Sequence, residues 1–149
     1  MKKIVSIIKI SLIYLLLTNS GLAKQSEYFN EGKKLFQKEK FDKSKIFFER
    51  DIVFDPKSEK SYLYLAKIFN NNENDQEEEI NLNSVLLLNP KNDEAIYMLV
   101  LLKIKQSDYS NAKKLLDEFI LVCKSFCSKK KEIQEKFKKM TPDNEKSNN

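Results

Sequence analysis

Asp55-Pro56-Lys57 recurs as Asn89-Pro90-Lys91, with the two prolines 34 residues apart. The spacing extends outward from both. Tyr28, Tyr62 and Ile96 fall on it, as do Gly32, Ala66 and Val100, and Phe48, Leu82 and Leu116. A fixed period of this length marks a repeat array, in which one supersecondary unit is stacked on copies of itself. Three windows follow without gaps, at 25–58, 59–92 and 93–126.

Each window carries two apolar runs at helical spacing, separated by a turn. In the first, Tyr28, Leu35 and Phe36 precede a turn at Phe41-Asp42, and Ile46, Phe47, Phe48, Ile52 and Val53 form the second face. Asp42 is placed to cap the second helix, and Asp55-Pro56 ends it, because proline disfavours helix at the residue before it. Ser58 suits the next N-cap. The second window pairs Tyr62, Leu65, Ala66 and Phe69 with Ile80, Leu82, Val85, Leu86 and Leu88. Asp75 and Glu78 read as a capping box between them. The third pairs Ile96, Leu99 and Val100 with Ala112, Leu115, Leu116, Phe119 and Val122, across a turn near Ser107-Asp108. The expected fold class is all-α.

These positions resemble the tetratricopeptide repeat (TPR) family over about 100 residues. The family's early aromatic is matched by Tyr28 and Tyr62, and the small residue four later by Gly32 and Ala66. Phe48, Leu82 and Leu116 match its large apolar position, and Pro56 and Pro90 its closing proline. Ser44 and Ala112 fit the small position of the second helix, and Glu78 does not. The third window has Val100 and Lys124 where a small residue and a proline belong, so that repeat is expected to be irregular. The resemblance implies an α-solenoid of three helical hairpins whose first helices line a concave groove. Carried over by place in the repeat, the groove residues are Phe29, Lys33, Phe36, Leu63, Tyr64, Lys67, Tyr97, Met98, Leu101 and Ile104. Mostly apolar with aromatic anchors, that set suits a helix or extended peptide.

Residues 127–140 are expected to form a capping helix, with Ile133, Phe137 and Met140 inward and Ser128 at its start. Residues 141–149 are polar and expected to be disordered. Cys123 and Cys127 are the only cysteines. Residues four apart on a straight helix hold their Cβ atoms about 5–6 Å apart, too far for a bridge, so a disulfide needs a turn between them. A bridge pinning the cap and two free buried thiols both remain open.

Residues 1–23 read as a secretory signal: a basic start, an apolar run from Ile4 to Leu17, and Gly21-Leu22-Ala23 before a cut at Ala23/Lys24. The expected location is a bacterial periplasm. The alternative is an uncut, membrane-anchoring leader, although the run is shorter than the roughly 20 residues of a spanning helix. The chain has 27 basic and 22 acidic residues, net +5. Residues 1–23 contribute three lysines and no acid, which leaves +2 and argues against a nucleic-acid partner. Membrane contact is expected only through an uncut leader or the lysines after residue 123.

Histidine is absent, which excludes His-based nucleophilic catalysis and His-ligated metals. The acidic run Glu73, Asp75, Glu77, Glu78 and Glu79 reads as a helix start favoured by its dipole rather than a metal site. No cofactor is implied. The expected role is non-enzymatic: a module binding a protein partner as an adaptor or assembly factor. The alternatives are a self-associating scaffold and, less favoured, an enzyme.

Overall fold

The computed structural model describes residues 26–140, so the readings of the leader and of residues 141–149 lie outside it. The described residues form seven α-helices and no strand: α1 (Glu27–Gln37), α2 (Phe41–Phe54), α3 (Glu59–Asn71), α4 (Asp75–Leu88), α5 (Asp93–Lys105), α6 (Tyr109–Val122) and α7 (Lys130–Met140). A 3-10 turn, Cys127–Lys129, precedes α7. None is long and apolar enough to cross a membrane.

Helices α1/α2, α3/α4 and α5/α6 pair as hairpins, and each second helix packs on the next first helix. The hairpins close where a small residue meets a large one. Gly32 is buried against Phe48: a Cβ built on Gly32 would sit 2.9 Å from the ring. Ser44 Oγ adds a hydrogen bond to the Gly32 carbonyl at 2.8 Å. Ala66 and Val100, with Leu82 and Leu116, hold the equivalent places in the core. Val100 is fully buried and α5/α6 form a complete hairpin, so the expected irregularity of the third repeat is not seen.

The core runs the length of the array. Phe29, Phe48, Leu65 and Ile68 fill its first part. Leu86, Met98 and Leu115 pack against both the middle cluster around Ala66, Leu82 and Leu99 and the last, around Ile96, Phe119 and Ile133. Helix α5 is enclosed on most sides and buries seven residues. Ile133 carries α7 onto the open side of the last hairpin.

Several capping expectations are corrected. Helix α2 begins at Phe41 with Lys40 as N-cap, so Asp42 sits in its first turn. Helix α4 is capped by Asn74, which accepts from the Glu77 N–H, so Asp75–Glu78 is not a capping box. Ser58 is an N-cap by position, but its hydroxyl donates to Asp51 instead of closing the helix. Helix α7 starts at Lys130, after the 3-10 turn rather than at Ser128.

The turns inside the hairpins share one conformation. Glu39, Glu73 and Ser107, 34 apart, all have left-handed backbone with φ of 56°, 55° and 59°. Side chains other than glycine pay about 1–2 kcal/mol for this region. Substituting Gly at Glu73 is therefore expected to stabilise the fold by about 0.5–1 kcal/mol after glycine's entropy cost, read as a higher midpoint of thermal unfolding by circular dichroism. Gly32→Ala is expected to do the opposite by about 1–3 kcal/mol through overpacking, despite alanine's better helix propensity.

Candidate functional site

The first helices α1, α3 and α5 touch one another through the residues expected to line the groove. Phe29 and Phe36 of α1 meet Tyr64 of α3 with ring centroids 5.6 and 5.0 Å apart. Lys67 of α3 pairs with Glu94 of α5 at 2.7 Å and lies 5.0 Å from the Tyr64 ring centre. Burial, then the Glu94 charge, pushes the Tyr64 hydroxyl above its ordinary pKa.

Much of this face is core rather than open surface. Of the residues expected to line the groove, Phe29, Leu63, Tyr97 and Ile104 are buried, and Ile104 still lines the opening beside α7. Tyr97 packs on Phe119 and Phe126, and its hydroxyl donates to Glu132 of α7 at 3.0 Å. Burial and then that hydrogen bond raise its pKa. Phe36, Tyr64, Lys67, Met98 and Leu101 are half-buried, and Lys33 is exposed.

A further opening lies beside α7. A cleft of about 530 Å³ is lined by Leu101, Leu102, Ile104 and Lys105 of α5, Ser107 of the following turn, Tyr109 at the start of α6, Asn70 of α3, and Lys136 and Met140 of α7. Its floor is apolar and two lysines stand at its edge. Leu101 and Ile104 belong to the expected groove. Met140, expected to face inward, is half exposed and lines this opening with Lys136, and only the docking of α7 beside α5 brings the two there. Their i, i+4 spacing was the available signal.

Behind the cleft is a buried carboxylate. Glu78 occupies the position held by Ser44 and Ala112 in the other repeats, and Asn70 Nδ2 donates to both of its oxygens at 3.1 and 3.0 Å. Burial raises its pKa against the lowering effect of Asn70. The rest of the acidic run diverges: Asp75 pairs with Lys105 and Glu79 with Lys103, both at 2.6 Å. Among the described residues, no group of three or more acids or cysteines is arranged to hold a metal.

Each hairpin is also tied at its open end. In the first, the buried Asp51 accepts from the hydroxyls of Ser26, Ser58 and Ser61. In the second, Asn89 donates to Glu59 at 3.0 Å. In the third, Asp93 Oδ2 accepts from the N–H groups of Lys124 and Phe126 at 2.6 and 2.8 Å. That last loop is closed by a Cys123–Cys127 disulfide with Cα atoms 5.2 Å apart. Helix α6 ends at Val122 and the chain turns before Cys127, as a bridge at this spacing requires.

Comparison with known proteins supports the fold from structure alone. No family model and no curated protein matches the chain. Among solved structures, the first TPR of Spaghetti (RPAP3) bound to the HSP90 peptide SRMEEVD aligns at 16% identity and TM-score 0.66, over 76% of this chain and 86% of that one. The CopN–Scc3 complex aligns at 17% identity and TM-score 0.65, over 79% and 78%. A tetratricopeptide repeat protein from Parabacteroides merdae aligns at 17% identity and TM-score 0.71, over 85% of this chain and 49% of its own length. The fold is a TPR solenoid.

Two titration predictions follow from these carboxylates. For Asp93, burial raises the pKa, but the backbone N–H groups of Phe126, Lys124 and Ser125 together outweigh it and the net shift is down. A depressed folded pKa contributes stability above the ordinary value of 3.8 and loses it as pH falls through the folded value. Asp93→Asn should thus unfold at a lower temperature than the parent at pH 6, and the gap should close as pH falls through the depressed folded value. Glu78 has the opposite sign. Its contribution is present below its ordinary value of 4.5 and is lost as pH rises through the raised folded pKa. Glu78→Gln should therefore be neutral or stabilising at pH 7, measured in the same melts.

Proposed function

We propose that this chain is a non-enzymatic protein-interaction module that works outside the cytoplasm, in a bacterial envelope, and holds a segment of a partner protein. The cleft between α5 and α7 is the anchor point. The observation that carries the reading is the chemistry of its lining: Leu101 and Ile104 at the floor, Lys105 and Lys136 at the edge. An apolar floor with cationic rims suits an extended segment that offers an apolar side chain flanked by carboxylates. Lys105 is held by Asp75 and Lys136 is exposed, so a ligand carboxylate meets one fixed and one mobile cation. The structural neighbours support the class of function, since one holds the peptide SRMEEVD and another is a complex of two named proteins.

The half-buried Phe36, Tyr64, Lys67 and Met98 extend the same face toward the N-terminal repeat and give the segment a path. Tyr64 and Tyr97 are not suitable probes of binding, because both pack in the fold. Leu101→Asp combined with Lys136→Glu changes floor and rim while sparing the buried residues. In pull-downs from envelope extracts, the variant is expected to hold its partner about 10- to 100-fold more weakly than the parent at equal helix content. Undiminished capture by the variant would exclude the cleft. Cell fractionation with mass measurement of the N-terminus tests the location, with Lys24 as the expected first residue.

A further inference from the structure

The second helices carry an apolar ladder that the fold does not use. Val53, Leu87 and Leu121 lie 34 residues apart and occupy the same place in the last turn of α2, α4 and α6. They are 76%, 84% and 84% exposed. The core needs nothing there, and a solvated helix face favours polar residues at such a position.

A lysine accompanies each rung. Lys57 follows Val53 by four residues, Lys91 follows Leu87 by four, and Lys124 follows Leu121 by three. All three are exposed, and none pairs with a carboxylate among the described residues. Four of the carboxylates at this edge are hydrogen-bonded within the fold. Asp51 accepts from three serines, Glu59 from Asn89, Asp93 from the closing loop, and Asp55 from the Lys57 N–H. Of the exposed acids near the ladder, Glu49 and Asp117, one turn before Val53 and Leu121, pair with Lys45 and Lys113 of their own helices, and Glu27 and Glu118 are left.

The ladder lies on the edge where the chain enters the fold. Ser26 donates to Asp51 near the end of α2, and Tyr28 stacks on Phe54 at 5.3 Å between ring centres. The first described residue, Ser26, thus lies beside the end of α2 that carries Val53.

We infer that this edge rests on a bilayer surface carrying anionic headgroups, with Val53, Leu87 and Leu121 entering the interface and Lys57, Lys91 and Lys124 meeting the phosphates. Apolar side chains at the acyl boundary flanked by lysines are what such a surface takes. Repetition along the solenoid makes the contact multivalent, so three weak insertions act together. The contact uses a different surface from the α5–α7 cleft and does not rest on the reading of that cleft.

The chain has no tryptophan, so Leu87→Trp supplies a single reporter on the ladder. Gln76→Trp, exposed at the start of α4, places one on the opposite edge. The exported chain is mixed with phosphatidylglycerol vesicles, with phosphatidylcholine vesicles, and with each containing brominated lipid. Expected are a blue shift and bromine quenching for Leu87→Trp on phosphatidylglycerol, and neither for Gln76→Trp. Adding Val53→Ser and Leu121→Ser should weaken binding about tenfold or more without loss of helix content. The comparison of the two reporters holds whether or not the leader is cut, since a leader anchors both alike. An unmoved Leu87→Trp signal, equal quenching of both reporters, or an equal response to both lipids would overturn the proposal. A blue shift that grows with protein concentration without vesicles would also overturn it and assign the ladder to a second copy of the chain.

Discussion

Everything in this array depends on how closely the two helices of a hairpin approach. Gly32 against Phe48 sets that distance in the first repeat, with Ala66 and Leu82, and Val100 and Leu116, in the same places along the chain. A single hairpin so built still leaves an apolar side uncovered, and stacking is the only way to remove it from water. The shared cluster residues Leu86, Met98 and Leu115 show the result: no hairpin has a core of its own. Helix α7 ends the stack by placing Ile133 on the last open side.

The architecture was legible in the sequence because it rests on apolar side chains at a constant spacing, and burial rewards that pattern regardless of detail. The turns were legible in place but not in chemistry. Nothing in Glu39, Glu73 or Ser107 announces a left-handed backbone, which glycine would normally mark. The buried carboxylates were illegible for a related reason. Glu78 reads as part of a solvated acidic run, and Asp51 as one charge among many. Only tertiary packing reveals that Asn70 and three serines satisfy them.

The candidate site was half legible. Position within the repeat identifies the first-helix residues but does not separate those turned outward from those held by neighbours. Phe29 and Tyr97 have aromatic partners that a linear pattern does not show. The cleft itself needs α7 docked beside α5, which follows from the Tyr97–Glu132 hydrogen bond and the closed loop at Cys123. A long-range arrangement of that kind leaves no period to detect.

The two ends of the array are tied differently. The C-terminal hairpin is closed by a covalent bridge and covered by α7, while the N-terminal hairpin relies on hydroxyl groups gathered around Asp51. In a stack whose units stabilise only their neighbours, opening begins where the last interface is weakest. Local unfolding should therefore run from α1 inward. Amide protons of α1 and α2 would then exchange earliest and those of α5 last, so the molecule has a direction in its stability as well as in its sequence.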